Sequence, residues 1–264
     1  MPLNVNRRKE LLMLVPEGSI VSRSWLRGQH FSVPAIDNFV KSGQLQTVKG
    51  GIYKREGSEV SWPAVVYFLQ SQKASDLTVG GLSALELQQL GHFLPLSEQK
   101  TVHLYGTGAL PTWINNVVPG VEFHKHSITA LLGYNPDDTT RERLSQFTRK
   151  VSKNNIQGEV TISRPERAIL EVLNEVPGKI AFEHAYELMQ GLTSLSPRAL
   201  QQLLELFQNF KVRRLFFWFA ERLSYPWLNR IDRTKIELGS GNRVIVKGGK
   251  LDKKYLITIP EQYE

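Results

Sequence analysis

Apolar residues near the start of the chain recur with the spacing of short amphipathic helices. Residues 7–15 form the first such segment. In residues 32–41, Ile36, Phe39 and Val40 fall at positions i, i+3 and i+4, which places them on one face of a helix. We expect that face to pack inward, because a helix with one apolar stripe buries that stripe against its neighbours.

The helices in this segment also have sequence signals at their ends. Ser22 is placed to cap a short second helix, and Ser32 is placed to cap the third. Pro34 lies in the first turn of the third helix, where its missing N–H leaves no hydrogen bond unmade. Gly43 stands just past the last turn as a left-handed stop. Two separate helices are therefore predicted, with a tight turn at residues 29–31.

A β-hairpin is predicted directly after the third helix. Residues 45–48 and 52–54 have strand-forming side chains, and residues 49–51 between them supply a glycine turn. Helix, turn, helix and hairpin in this order predict a winged helix-turn-helix domain over residues 1–58. A generic small α/β subdomain with a solvated polar face is the alternative interpretation.

Helical and strand patterns alternate in the middle of the chain, over residues 59–160. Residues 83–90 have a helical pattern, whereas residues 101–105 and 121–126 alternate between apolar and polar side chains as strands do. This middle region is predicted to be mixed α/β.

The last region, residues 161–264, is predicted to be helical and to end in a β-meander. Ser163, Pro165 and Glu166 have the spacing of a capping box at the start of its first helix. Further helices are predicted at residues 182–190, 197–208 and 212–223, and the strands of the meander at residues 235–238, 243–246 and 255–259. The chain is thus predicted to be an α+β protein, with an N-terminal winged helix-turn-helix and a larger mixed α/β C-terminal region.

Charge points to a polyanionic partner. The 264 residues carry a formal net charge of +8 at pH 7. Residues 1–56 carry +5 and residues 211–254 carry +8, so the remainder of the chain is net acidic. Both basic segments are candidates for contact with phosphate groups.

Composition excludes several classes of protein. The chain has no cysteine, which rules out disulfides, a thiol nucleophile and a cysteine-based zinc finger. The N-terminus lacks the apolar core of a signal peptide, and no run approaches the roughly twenty apolar residues of a membrane-spanning helix. We therefore expect a cytoplasmic protein.

Catalytic chemistry finds little support in the motifs. The Gly80-Gly81 turn resembles the glycine-serine turn of nucleotidyltransferases. Those enzymes hold metal ions with paired carboxylates on the strand that follows the turn. Here that strand offers Thr101, His103 and Tyr105 instead. The missing acids predict that there is no catalytic site.

One predicted strand in the middle region carries side chains that could bind a metal ion. Glu122, His124 and His126 alternate along one predicted strand, so they share a face and have suitable ligand chemistry. Polar residues on the solvated face of an edge strand are a commoner cause of this pattern. We expect neither a metal nor a cofactor.

The chain resembles the AbiEi family, the antitoxin transcriptional regulators of abortive-infection, type IV toxin-antitoxin systems. The resemblance covers nearly the whole chain. It is carried by the N-terminal winged helix, by RPERA at residues 164–168, by KVRRL at residues 211–215, and above all by the ending LGSGNRVIVKGGKLDKKYLITIP at residues 238–260.

The resemblance implies a function and partners. In that family the winged helix represses its own operon by binding inverted repeats in the promoter. The larger C-terminal region counteracts a nucleotidyltransferase-like toxin, without a known stable complex. Double-stranded DNA and the toxin are the implied partners, and two copies are expected on the DNA.

Carried to this sequence, the resemblance assigns candidate DNA-binding residues. The polar face of the third helix suits the reading of base edges in a major groove, and cations nearby suit phosphate. Base contacts are assigned to Ser32, Ala35, Asn38 and Lys41, and phosphate contacts to Arg23, Arg27 and Lys49. Asp37 departs from this pattern, because an acid on that face repels phosphate unless it accepts from a cytosine amino group or pairs with Lys41.

A second basic face is assigned to the C-terminal region. It would extend the phosphate track or meet the nucleic acid that the toxin modifies, and a merely solvated surface is the alternative. Its members are Arg213, Arg214, Lys247, Lys250, Lys253 and Lys254.

Two other functions remain open from the residues alone. One is a nucleotide- or nucleic-acid-modifying enzyme that the winged helix delivers to its substrate. The other is a winged-helix regulator that senses a small ligand, for which a pocket lined by Trp113, His124 and His126 would be the sign.

Overall fold

The computed structural model describes residues 5–91, 99–152, 156 and 158–263. Its N-terminal part has the predicted winged helix-turn-helix fold, with the strands in the antiparallel order β1-β3-β2. The elements are α1 Val5–Leu14, β1 Ile20–Ser22, α2 Arg23–Gly28, α3 Val33–Lys41, β2 Leu45–Lys49 and β3 Ile52–Arg55.

The signals that the sequence gives for α2 and α3 are confirmed. The Ser22 hydroxyl accepts from the N–H of Trp25 at 3.1 Å, and the Ser32 hydroxyl accepts from the N–H of Ala35 at 3.4 Å. Gly43 has a φ of +64°, the left-handed conformation that ends α3.

A small core holds the winged helix together. Its largest side chains come from all three helices and from the hairpin, so each element buries one face in it. The core residues are Leu11, Val15, Val21, Leu26, Phe31, Ile36, Phe39, Leu45 and Tyr53.

Strand β1 is an element for which the sequence gives no signal. It has three residues, all buried, so it shows no alternation of apolar and polar positions. It forms because β3 pairs with it, with Ile20 opposite Lys54 and Ser22 opposite Ile52.

A five-stranded mixed sheet organises the middle of the chain, in the order β6-β5-β4-β8-β7. The pairs β5·β6 and β4·β8 are parallel, and the pairs β4·β5 and β7·β8 are antiparallel. The elements are α4 Trp62–Gln72, β4 Thr78–Val79, α5 Gly81–Leu87, β5 Lys100–Gly106, β6 Val121–Ser127, α6 Thr129–Leu132, α7 Asp138–Ser145, β7 Thr148–Ser152 and β8 Glu159–Ser163.

Helix α8 lies at the centre of the C-terminal region, where it contacts α5, β8 and the three helices that follow it. Its residues 166–173 are all buried, including two acids and an arginine. The remaining elements are α8 Pro165–Glu175, α9 Phe182–Gln190, α10 Pro197–Leu206, α11 Phe210–Arg222, β9 Lys250–Asp252 and β10 Ile257–Ile259.

The predicted terminal β-meander is wrong in its details. The described chain has a two-stranded hairpin, β9·β10, and a single parallel bridge between Arg243 and Ile257. Residues 243–246 do not form a strand, because the hydroxyl of Thr258 accepts from the N–H groups of Ile245 and Val246 at 2.9 and 3.0 Å, in place of a neighbouring strand.

The predicted capping box is also wrong. The N-cap of α8 is Arg164, without a side-chain cap, because the Ser163 hydroxyl donates instead to the Glu171 carboxylate at 3.1 Å. Glu166 turns away to accept from the N–H of Ser196 at 2.9 Å. Both side chains that the capping-box pattern assigns to the start of α8 therefore form hydrogen bonds elsewhere in the fold.

Helix α4 joins the winged helix to the large sheet. The amide oxygen of Gln72 accepts from the N–H of Ser22 at 2.8 Å and from its hydroxyl at 3.0 Å. Two residues earlier, Gln70 bonds the backbone of Thr161 in β8 through both its amide oxygen and its amide nitrogen, at 2.9 and 3.0 Å. The division of the chain at residues 58 and 160 stays a prediction.

In the described part of the chain, no helix is long and apolar enough to cross a membrane.

Candidate nucleic-acid interface

The outward face of α3 carries the residues that the sequence assigns to base contacts. Ile36 and Phe39 are fully buried, which fixes the orientation of the helix. Ser32, Asn38 and Lys41 are exposed on the other side. Short polar side chains at spacings of three and six residues can follow a groove along one helix face.

Ala35 is half-buried between these positions. Its N–H is the one that the Ser32 hydroxyl caps. Of the four base-contact residues, Ala35 is therefore the one most enclosed by the protein, and only a close approach of a base would reach its methyl group.

Two of the assigned phosphate contacts are exposed cations at the edges of this face. Arg27 lies near the end of α2, and Lys49 ends β2 at the tip of the hairpin. Neither forms an ion pair with a described residue, and both are exposed. Cations without an internal counterion are the side chains that phosphate groups attract most strongly.

The third assigned phosphate contact, Arg23, is held within the domain. Its Nε donates to the Tyr53 hydroxyl and its Nη2 donates to the Asp37 carboxylate, both at 2.8 Å. Asp37 thus pairs with Arg23 and not with Lys41. This pair removes most of the repulsion that an unpaired acid on α3 would exert on phosphate.

Two members of the second basic face must be corrected. Arg213 and Arg214 are only 5% and 1% exposed, so they cannot form a phosphate track. A buried guanidinium requires acceptors, and each arginine finds them on the backbone. The acceptors are the carbonyls of Leu204, Glu205 and Glu237 for Arg213, and those of Leu238, Gly241 and Leu256 for Arg214.

The lysines of that face remain on the surface. Lys247, Lys250 and Lys253 are exposed in the C-terminal segment. Lys254 is also exposed, but its ammonium donates to both carboxylate oxygens of Glu221 at 2.6 and 2.7 Å. Of the six cations assigned to this face, two are thus buried and Lys254 is paired with an acid.

The glycine turn at the start of α5 is filled by the protein itself. The Glu171 carboxylate accepts from the N–H of Gly81 at 2.9 Å and from Nε of Arg167 at 2.8 Å. A side chain at Gly80 would overlap this carboxylate, which explains why glycine stands there. An internal acid thus occupies the position where a phosphate would bind in a nucleotide-binding turn.

A cluster of polar side chains lies between α8 and strands β5 and β6, in which His126 is buried and His103 and Glu175 are half-buried. Glu175 accepts from Nδ1 of His126 at 3.0 Å, and Nε2 of His126 lies 2.8 Å from Nδ1 of His103. Because His126 donates to Glu175, we assign the other bond to a proton on His103. Tyr105 stacks on His126 with ring centres 4.7 Å apart.

The protonation of this cluster is set by its burial. The pKa of His103 is lowered to about 4, first by burial and then by the neighbouring His126 and His124. For Glu175, burial acts to raise the pKa, but the hydrogen bond and charge of His126 outweigh it and lower the pKa. At neutral pH these shifts favour an ionised Glu175 and an uncharged His103.

The interpretation of β6 as a strand with one solvated polar face is wrong for His126, which is only 4% exposed. Nδ1 of His124 and Oε1 of Glu122 are 3.8 Å apart near the surface. Among the described residues, no group of three histidines and acids could hold a metal ion. The ring of Trp113 packs edge-on against that of Phe68, whereas the ring of His126 stacks on that of Tyr105.

Several residues that shape this surface and the core carry weak sequence signals. Arg167 and Glu171 have the i, i+4 spacing of an ion pair, which was the one local sign of their contact. Nothing local indicates that Tyr53 would bind Arg23 or that Gln72 would bind Ser22, because these partners are 30 and 50 residues apart.

Comparison with known proteins places the chain in a family. Residues 4–96 match a family model described as the N-terminal domain of the transcriptional regulator AbiEi antitoxin. Residues 99–260 match one described as a transcriptional regulator, AbiEi antitoxin, of a type IV toxin-antitoxin system. None of the curated proteins compared with the chain matches it.

A solved structure shares the fold. The crystal structure of the RV2827C protein from Mycobacterium tuberculosis superimposes with a TM-score of 0.52 at 13% sequence identity, covering 90% of this chain and 85% of that one. At this identity the likeness concerns the fold alone.

Proposed function

Because the chain belongs to the AbiEi family of antitoxin transcriptional regulators of type IV toxin-antitoxin systems, we propose that its winged helix binds promoter DNA and represses its own operon. The operator would consist of inverted repeats, each bound by one copy, since helix-turn-helix proteins pair on symmetric sites. A repressor acts where the chromosome lies, so the proposal includes a cytoplasmic location.

The observation that carries this proposal is the outward face of α3. Asn38 and Lys41 are exposed there, while Ile36 and Phe39 on the opposite side anchor the helix in the core. Asn offers a donor and an acceptor that match the edge of adenine in the major groove. Lys49 at the tip of the hairpin would contact the flanking phosphates.

A mobility-shift assay on the upstream region of the gene tests the proposal. We expect a sequence-specific shift that weakens steeply with salt, because phosphate contacts release counterions. Lys150→Ala, an exposed cation of β7 that lies outside both basic segments, is the matched control for Lys49→Ala. The absence of a specific shift at low salt, with folded protein, would refute DNA reading by this domain.

We further propose that the C-terminal region counteracts a nucleotidyltransferase-like toxin. The measurement is growth of cells that express the toxin together with the full chain or its Asn38→Ala variant. Since Asn38 lies in the winged helix, its variant is expected to rescue growth as well as the unmodified chain. A loss of rescue in this variant alone would contradict a separation of the two functions.

The proposal assigns no catalysis to the chain. Strand β5 presents His103 and Tyr105 where metal-binding carboxylates would be required, and Glu171 fills the glycine turn. A nucleotide phosphate would have to displace a buried carboxylate that an arginine already neutralises. Incubation of the full chain with labelled nucleotides, Mg²⁺ and RNA is expected to give no transfer, and transfer by the purified chain would overturn this part.

A further inference from the structure

A cavity of about 210 Å³ lies between the large sheet and α7. Its apolar walls come from Tyr105, Ile128 and Leu144, all of them buried. An apolar cavity of about 150 Å³ is large enough to bind benzene. The volume therefore suits a molecule built on one aromatic ring.

One charged donor faces this cavity with unused bonding capacity. Arg167 lines it and is only 4% exposed. Its Nε donates to Glu171 at 2.8 Å and its Nη1 to the carbonyl of Leu144 at 3.3 Å. Within the described residues, Nη2 has no acceptor. A hydrogen bond from a charged group is stronger than one between neutral groups, so a ligand with an acceptor would be bound selectively.

The other polar groups of the cavity favour an uncharged ligand. Asp76 lines the rim, where its carboxylate accepts from the N–H groups of Thr107 and Gly108. Burial acts to raise the pKa of Asp76, but the hydrogen bond from the Thr107 hydroxyl, the two N–H bonds and the charge of Arg141 outweigh it and lower the pKa, so the group is ionised. The charge of Arg167 is already balanced by Glu171. Arg141, the other cation of the wall, is paired with Asp138 at 2.6 Å. An anionic ligand would therefore meet the charge of Asp76, while both cations of the wall already have acidic partners.

We propose that this cavity binds a small, uncharged aromatic molecule whose carbonyl oxygen accepts from Nη2 of Arg167. The hydroxyl groups of Thr78 and Thr161, which also line the cavity, supply further polar contacts for such a ring. The site is separate from the surface proposed to bind DNA, and it shares Tyr105 with the histidine cluster, where that ring stacks on His126.

The cavity wall is connected to the rest of the protein through α4. Gln70 binds the backbone of Thr161 and the carbonyl of Leu77, next to the two threonines of the wall. A ring in the cavity would therefore contact strands that this helix holds in place.

Binding of three matched probes to the full chain tests the proposal, measured by saturation-transfer NMR and calorimetric titration. Benzamide has the ring and a neutral carbonyl, benzoate has the ring and an anionic group, and toluene has the ring alone. We expect saturable binding of benzamide, about tenfold tighter than that of toluene, because a polar site rejects an analogue that leaves its donor unpaired. Benzoate is expected to bind more weakly than benzamide.

Two variants locate the binding. Arg167→Lys keeps a cation beside Glu171 but removes Nη2, and is expected to remove the preference for benzamide over toluene. Because Arg167 is buried, its substitution can unfold the chain, so Ser145→Trp on the exposed rim serves as the second variant. Its control is Arg143→Trp, which lies on the same helix but outside the cavity. We expect Ser145→Trp to abolish binding and Arg143→Trp to leave it unchanged.

Any of four results would overturn the proposal. The first two are that benzamide shows no saturable binding and that toluene binds as tightly as benzamide. The other two are that benzoate binds more tightly than benzamide and that Ser145→Trp leaves the binding of benzamide unchanged.

Discussion

Arg23 and Asp37 form an ion pair at 2.8 Å that ties α2 to α3 in the middle of the surface proposed to bind DNA. The side chains are 41% and 44% exposed, so the pair adds little to stability. Its larger effect is on charge, because it neutralises an acid and a cation that both lie beside the expected path of the DNA backbone.

The change Asp37→Asn is expected to strengthen DNA binding and to make it less selective. It removes a negative charge from α3 and frees Arg23 for phosphate, so the slope of log affinity against log salt should steepen by about one. Fluorescence anisotropy with operator and scrambled duplexes measures both effects. Glu17→Gln, an exposed acid of the same domain that pairs with Arg55, is the control. An unchanged salt slope in Asp37→Asn would show that Arg23 does not reach phosphate.

The change Glu171→Gln is expected to destabilise the chain strongly. Glu171 is fully buried and accepts from Arg167, Ser163 and Gly81. Removal of its charge leaves the guanidinium of Arg167 buried without a counterion, which costs about 3–5 kcal/mol. Urea denaturation measures the free energy of unfolding, with the exposed Glu142→Gln on α7 as the control. A loss below about 1 kcal/mol would contradict the role assigned to this carboxylate.

The change Arg214→Met is expected to lower stability without weakening DNA binding. The guanidinium bonds the carbonyls of Leu238, Gly241 and Leu256, and these would lose their donor. The free energy of unfolding should fall by about 2 kcal/mol or more. Lys253→Met, which removes an exposed cation of the C-terminal segment, should leave stability unchanged. A specific loss of DNA affinity in folded Arg214→Met would restore the assignment to the basic face.

The wrong assignment of Arg213 and Arg214 shows where sequence reasoning ends. Their helix has an apolar stripe, and its polar positions are normally solvated. Here the chain returns over that side, and its carbonyls supply acceptors for both guanidinium groups. The burial of Arg214 thus depends on backbone 24 to 42 residues away, and that of Arg213 on backbone 8, 9 and 24 residues away, none of which local periodicity encodes.

The winged helix could be predicted because its signals are local. Ser22, Ser32 and Gly43 act within one helical turn of the ends that they mark, and the spacing of Ile36 and Phe39 fixes which face is buried. Strand β1 and the Arg23 ion pair depend on distant partners instead. The sequence therefore predicted which residues the surface presents, but not how they are held.

Acid is expected to destabilise the chain through His103. The pKa of His103 is about 4 in the folded chain, below its ordinary value of 6.5, because it is buried beside His126 and His124. Between these two values the unfolded chain binds the extra proton, so stability is fully present above about pH 6.5 and is lost as the pH falls towards about 4. Thermal unfolding over this range measures the effect.

His103→Gln is the variant for that measurement, and His30→Gln, an exposed position of the winged helix, is its control. The melting temperature of the unmodified chain and of His30→Gln should fall as the pH is lowered through this window. In His103→Gln the dependence should be shallower. An equal slope in all three proteins would show that another group controls the acid response.

The most direct test of the central claim compares the affinities of the unmodified chain, Asn38→Ala and Lys49→Ala for operator and for scrambled DNA. If α3 reads bases, Asn38→Ala should lower the ratio of the two affinities by about 1–3 kcal/mol in free energy. Lys49→Ala should weaken both affinities alike and make the salt slope shallower by about one. If the unmodified chain binds both duplexes equally, or if Asn38→Ala keeps the full ratio, α3 does not read the operator.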